Sequence, residues 1–220
     1  GAGKTTYFNL ISGQIKATAG RVKLNGVDIS AQGAPARAQA GLGRAFQLTN
    51  LFPNLTVREN VRLAVQARAG AGLNLWKIWS DRRDLIVRAD EVLETVALAD
   101  KGEQLASSLP HGDQRKLEVG ILMALEPQVF MFDEPTAGMS VDEVPVILNL
   151  IRQLKADKTK TILLVEHKMD VVRELSDRII VLHNGELVAD GDPATVIASP
   201  VVQQAYLGIN PEEKDQEVAA

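Results

Sequence analysis

Apolar and polar residues alternate along this chain with two different periods. Between residues 21 and 29, Val22, Leu24, Val27 and Ile29 flank Asn25-Gly26. That dipeptide supplies the positive φ of a tight turn, so the stretch is expected to be a β-hairpin. Residues 129–132 and 162–165 are continuous apolar runs, as expected of strands covered on both faces in a parallel sheet. Between such runs the pattern is helical. A helix is expected over 3–12, opening from a Gly-rich turn. Another starts at Thr56-x-x-Glu59, a capping-box pattern, and others span about 82–98 and 112–125. Glu126-Pro127 ends the last of these, because a residue before proline is pushed out of the helical region. Residues 70–79 read as a loop or short helix.

Further on, Ser140-x-x-Glu143 is expected to cap a helix, and 169–175 to form another. Residues 179–182 lead through Asn184-Gly185 into Leu187-Val188, a late hairpin. Asp192-Pro193 starts a short helix with a cap and an N1 proline. The tail 211–220 has few large apolar residues and many charges, and is expected to be disordered or loosely attached. No internal repeat is visible. The whole reads as α/β, with a mostly helical block at about 41–125 inserted into a sheet domain.

Composition narrows the function. With 220 residues the chain can bury a sizeable core, and no apolar run reaches the roughly 18 residues that span a bilayer. Any membrane role is therefore expected to be peripheral. A net charge of −4 gives no broad attraction to nucleic acid, which is not expected as a partner. The chain has no cysteine, hence no disulfide framework, thiolate metal site or thiol nucleophile.

Three features carry chemistry. Gly1-Ala2-Gly3-Lys4-Thr5-Thr6 matches the end of the phosphate-binding loop GxxxxGK[ST], whose first glycine would fall five positions before Gly3. The chain is therefore expected to be cut. Small residues let backbone N–H groups close around phosphate oxygens, and the helix N-terminus adds partial positive charge. Lys4 would contact the β and γ phosphates, Thr5 would offer its hydroxyl to Mg²⁺, and Thr6 would bond a phosphate. About 130 residues on, the run Val129-Phe-Met-Phe132 ends in Asp133-Glu134. There Asp133 would hold Mg²⁺ through its water shell, while Glu134 would polarise the attacking water. A further strand then ends at His167.

Taken in order, these motifs resemble the nucleotide-binding subunit of ABC transporters, and the resemblance runs from Gly1 to about Gly208. It rests on GAGKTT, on Arg44-Ala45-Phe46-Gln47, on a signature region from Leu109 to Glu118, on the strand ending in Asp133-Glu134-Pro135-Thr136, and on His167. The resemblance implies a P-loop NTPase sheet with an inserted helical subdomain and the N-terminal strands missing. The nucleotide-binding core would comprise 1–40 and 126–208, the Gln47 loop and helical signature subdomain 41–125, and a tail 209–220. It implies ATP and Mg²⁺ as ligands. Gln47 would touch the metal or the attacking water and relay nucleotide state, and His167 would contact the γ-phosphate. It also implies a second ATPase subunit arranged head to tail, each ATP lying between one phosphate loop and the other's signature. Transmembrane permease subunits, and indirectly a solute-binding protein, would be the other partners, with the chain peripheral on the cytoplasmic face of the plasma membrane.

The signature departs from the family's common LSGGQ, reading Leu109-Pro110-His111-Gly112-Asp113. Pro110 removes a serine hydroxyl. Gly112 and the helix N-terminus remain to hold phosphate, and His111 can donate a hydrogen bond. After the acids, Ala137-Gly138-Met139-Ser140 falls where the family's D-loop crosses the dimer, with Ser140 where an Asp is common.

Further motifs resemble the branched-chain amino acid subfamily: Leu55-Thr-Val-Arg-Glu-Asn60, the insertion at 70–79, Val165-Glu-His-Lys-Met-Asp170 and Tyr206-Leu-Gly208. The His-Gly-Asp-Gln signature also resembles urea importers, and lipopolysaccharide exporters share parts of the pattern. Trp76 and Trp79 suit either a subdomain core or a membrane-partner contact. Other readings are a soluble ABC-type ATPase of DNA repair or translation, which usually has tandem cassettes, and a P-loop kinase or GTPase, disfavoured by the lack of NKxD. A catalytically silent fragment with an interaction role stays open for a chain lacking half its phosphate loop.

Overall fold

The computed structural model describes residues 2–45, 51–69 and 83–204. In chain order they form α1 (Lys4–Ser12), a hairpin of β1 (Lys23–Leu24) and β2 (Val27–Asp28), α2 (Ala34–Gln39), β3 (Leu42–Ala45), α3 (Val57–Arg68) and α4 (Arg83–Thr95). Then come α5 (His111–Leu125), β4 (Val129–Asp133), α6 (Val144–Ala156), β5 (Thr161–Val165), α7 (Met169–Leu175), the hairpin of β6 (Ile179–His183) and β7 (Glu186–Gly191), and α8 (Pro193–Ala198). The chain divides into two units, one of residues 21–165 and one of 1–20 with 166–220. The motif residues Gln47 and Gly1, and the stretches 70–79 and 211–220, lie outside the described residues.

The larger unit is built on a parallel sheet of order β3-β4-β5, with Leu42 opposite Val129 and Asp133 opposite Val165. Strand β4 is central. Its first four residues are buried, and Phe130 and Phe132, pointing to the same face, stack at 6.2 Å. This is the doubly covered strand its apolar run predicts. The run in β5 is less covered: Ile162, Leu163 and Leu164 are only half-buried. Among the described residues β5 pairs on one side alone, so its outer edge is open. Strand β3 forms at the start of the stretch whose pattern reads as helical.

Helices α3, α4 and α5 pack together around Val57, Val61, Leu93, Leu117 and Val119, all fully buried. Each such side chain contributes about 1.5–3 kcal/mol on burial, which outweighs the weak helix propensity of the valines. Helix α3 starts as its sequence predicts, with the Thr56 hydroxyl accepting from the Glu59 amide at 3.1 Å. The Glu59 carboxylate turns instead to Arg62, so only one arm of the capping box bonds the backbone. Buried Asn60 accepts from the Phe52 amide and donates to the carbonyls of Phe52 and Thr56, tying the preceding loop to the helix. Helix α5 ends at Glu126, whose φ of 48° breaks the helix before Pro127. The expected cap at Ser140 is a turn instead. The Ser140 amide and hydroxyl both donate to Glu143, and α6 begins only at Val144.

In the smaller unit, α1 buries Phe8 and Ser12. The β6–β7 hairpin turns through Asn184 and Gly185, both at positive φ, and packs Val181 with Val196 and Val202. Arg178 reaches across the hairpin to Asp190 with two bonds of 2.6 Å. Helix α8 is capped as expected, the Asp192 carboxylate accepting from the Thr195 amide at 3.0 Å with proline at its first turn. Among the described residues no helix is long and apolar enough to cross a membrane.

Candidate nucleotide-phosphate site

Gly3 stands at the N-cap of α1 with φ 89°, the left-handed region that glycine enters at no steric cost. The turn of the β6–β7 hairpin supports it from outside: the Gly185 amide donates to the Ala2 carbonyl at 3.2 Å, and a side chain on Gly3 would sit 3.1 Å from the Gly185 Cα. Lys4, Thr5 and Thr6 form the first turn, with both threonines exposed and Lys4 half-buried. The Lys4 ammonium donates to Nδ1 of His167 at 3.3 Å, across 163 residues of sequence. His167 is oriented by the turn leading into α7, where the Glu166 carboxylate accepts from the amides of His167 and Lys168 at 2.9 and 3.3 Å.

In the other unit the chain leaves β4 at two acids. Oδ2 of Asp133 accepts from Arg44 at 3.2 Å, and both side chains are only 10% exposed. Burial pulls the Arg44 guanidinium down from its ordinary value, and the charge and hydrogen bond of Asp133 counter it. The same bond leaves Oδ1 without a hydrogen-bond partner among the described residues. Glu134 takes φ 52° while its amide donates to the Val165 carbonyl at 3.0 Å. A non-glycine residue held there stores strain of about 1–3 kcal/mol and recurs at functional sites. Behind it Thr136 is buried.

The signature residues begin α5 in this same unit. His111 is exposed and Gly112 buried. The segment after Glu134 packs against both: a side chain on Gly138 would meet the His111 ring at 3.4 Å, and one on Gly112 would collide with the Glu143 carboxylate. Asp113 is buried between Lys101 and Lys116, the latter donating at 2.8 Å. Burial pushes its carboxyl up, but the bonds and charges of the two lysines outweigh it and hold Asp113 below the ordinary aspartate range. Glu118 behaves oppposite in sign: burial raises it, and Arg115 at 3.2 Å only partly offsets that.

Thus Lys4 and His167 meet in one unit, while Asp133, Glu134, His111 and Gly112 belong to the other. The donor set suits its expected ligands. In the smaller unit a helix N-terminus with a lysine on its first turn suits phosphate; in the larger, the Asp133 carboxylate is a hard oxygen donor of the kind Mg²⁺ takes. Sequence reasoning placed Arg44 in the Gln47 motif, Glu143 in a helix cap and Gly185 in a hairpin turn, and missed the contacts that each makes at the site. Arg44 had a signal, since an arginine in a strand as apolar as Leu-Gly-Arg-Ala needs a buried counter-charge. For Glu143 and Gly185 no local pattern marks the contact.

The family described as ABC transporter matches residues 1–137 of the chain. The high-affinity branched-chain amino acid transport ATP-binding protein LivG of Escherichia coli (strain K12) is 39% identical over 215 residues, covering 94% of this chain and 84% of that protein. BraF of Pseudomonas aeruginosa, described in the same words, is 36% identical with the same coverage. Among solved structures, MJ1267, an ATP-binding cassette of an ABC transporter, superimposes with a TM-score of 0.77 at 29% identity, over 93% of this chain and 83% of that one. A dimeric post-hydrolysis structure of the cassette MJ0796 bound to ADP and Pi superimposes with a TM-score of 0.72 at 25% identity, over 87% and 81%.

Proposed function

This chain belongs to the ABC transporter family, and we propose that it is the ATP-hydrolysing subunit of an importer of branched-chain amino acids, working as one half of a head-to-tail pair. The observation that carries the reading is the 3.3 Å approach of Lys4 to His167, which brings together two residues each expected at the γ-phosphate. A cation and a hydrogen-bonding ring converging beside a helix N-terminus form a site for phosphate charge rather than a packed interior.

In this reading Lys4 neutralises charge on the β and γ phosphates, Thr6 and the first amides of α1 hold phosphate oxygens, and His167 donates to the γ-phosphate through the nitrogen that faces away from Lys4. Thr5, Gln47 and Asp133 hold Mg²⁺, which when bound supplies charge neutralisation during phosphoryl transfer. Glu134 takes the proton of the attacking water. His111 and Gly112 face the nucleotide of the opposite subunit. ATP then closes the pair and hydrolysis releases it, moving permease subunits in the membrane. The chain itself sits on the cytoplasmic face. Support for the pairing comes from the dimeric cassette bound to ADP and Pi, and support for the solute from the names of LivG and BraF.

The test is turnover by the intact protein against Glu134→Gln. A general base typically contributes about 10² to 10⁴ in rate, so the variant should lose that much while trapping an ATP-bound dimer seen by light scattering. Unchanged turnover would overturn the assignment. With permease and binding protein in proteoliposomes, leucine should stimulate hydrolysis. Stimulation by urea and not by leucine would reassign the solute.

A further inference from the structure

Arg44 sits in an unusual place for a cation. Its neighbours in β3, Leu42 and Ala45, are buried, and the strand pairs with the central strand of the sheet. In parallel register Arg44 lies opposite Met131, two residues short of Asp133, so its long side chain runs forward along the sheet to the end of β4. There it holds Oδ2 of Asp133 at 3.2 Å, with both partners 10% exposed. Stability gives little reason for the pair, since replacing a buried ion pair by well-packed apolar residues is often neutral or favourable. An orienting duty gives a better one. Carboxylates that serve a metal are commonly fixed by an outer partner, and losing that partner typically costs about 10- to 100-fold in metal affinity.

We propose that Arg44 is a positioning residue for phosphoryl transfer: by fixing one oxygen of Asp133 it aims the other at the metal that accompanies the nucleotide. The planar guanidinium suits this better than an ammonium, because it sets direction as well as charge. The inference rests on the reading of Asp133 as the acid that serves Mg²⁺. It makes a directional claim, because a guanidinium that merely competed with the metal would weaken metal binding rather than support it.

The experiment titrates Mn²⁺, as a paramagnetic stand-in for Mg²⁺, into the intact protein saturated with a non-hydrolysable ATP analogue, and follows free metal by electron paramagnetic resonance. Arg44→Met should raise the Mn²⁺ dissociation constant about 10-fold or more, with Arg44→Lys recovering part of the loss. Binding of a fluorescent nucleotide in the presence of EDTA should stay within about twofold of the parent, a separation that general unfolding would not produce. Unchanged or tighter Mn²⁺ binding in folded Arg44→Lys and Arg44→Met overturns the proposal. If Arg44→Met does not fold, Arg44→Lys decides alone. Asp133→Asn separates the two levels: retention of Mn²⁺ by that variant means that the metal reading of Asp133 itself has failed.

Discussion

The carboxylate of Glu143 lies directly against Gly112, in the place that a methyl group on that glycine would take. Glu143 is also held by the Ser140 amide at 3.1 Å and hydroxyl at 2.9 Å, bonds that keep its carboxyl below the usual glutamate range. The turn after Glu134 is thereby locked onto the first turn of the signature helix.

Gly112→Ala must therefore displace the carboxylate from its place. Alanine gains up to about 1 kcal/mol of helix propensity over glycine, which offsets much of the lost contact, so thermal stability should change by no more than about 1 kcal/mol. The defect should appear in ATP-driven dimerisation, measured by light scattering in a Glu134→Gln background, and Glu143→Ala should partly restore it. A large drop in melting temperature with normal dimerisation would mean the contact is packing alone.

Lys4→Ala and His167→Ala should separate binding from turnover. A hydrogen bond to a charged group is worth about 1.5–3 kcal/mol, so losing Lys4 should raise the nucleotide Kd roughly 10- to 150-fold. His167→Ala should leave Kd within a few-fold but cut turnover by about 10² or more. Fluorescent-nucleotide binding and phosphate release read the two quantities, and equal loss of affinity in both variants would contradict the division of roles.

Two buried acids of α5 should respond to pH with opposite signs. Asp113 is held low in the folded state, so its stabilisation is present above the unfolded value of about 4 and is lost as pH falls through the folded one. Asp113→Asn should lower stability near neutrality and flatten the decline below pH of about 4. Glu118 is held high, so its favourable contribution is present below its unfolded value and fades as pH rises through the folded one. Glu118→Gln should remove that fading. Melting temperature against pH for both variants is the measurement.

Gly3 and Gly185 share the left-handed conformation, at φ 89° and 82°, but not their surroundings. Either alanine variant should cost about 1–2 kcal/mol of backbone strain. A side chain at position 185 meets open space, whereas one at Gly3 lies 3.1 Å from the Gly185 Cα and must lift the loop before Lys4. Gly185→Ala should therefore keep nucleotide affinity and Gly3→Ala should lose most of it, as read by equilibrium binding on folded protein.

Local chemistry made much of this molecule legible in advance. The Thr56 and Asp192 caps, the Asn-Gly turns of both hairpins, the stop before Pro127 and the buried run of β4 each depend on residues within a few positions, so pattern and propensity suffice to read them. Where the reading strayed it was local chemistry that had two solutions. Ser140 and Glu143 satisfy each other in a turn as well as a capping box would, and the choice went to the arrangement that also packs Glu143 on Gly112.

The sequence by itself determined most of the order of elements, α2 and β3 excepted, the presence of Lys4, Asp133, Glu134 and His167 in their motifs, and membership of the family those motifs mark. Only the tertiary structure decided that Lys4 reaches His167, that Arg44 holds Asp133, and that Gly185 supports the turn at Gly3. These contacts depend on strand register and on how far a side chain extends from it. Such quantities arise from burial summed over the whole core, and no window of neighbouring residues contains them.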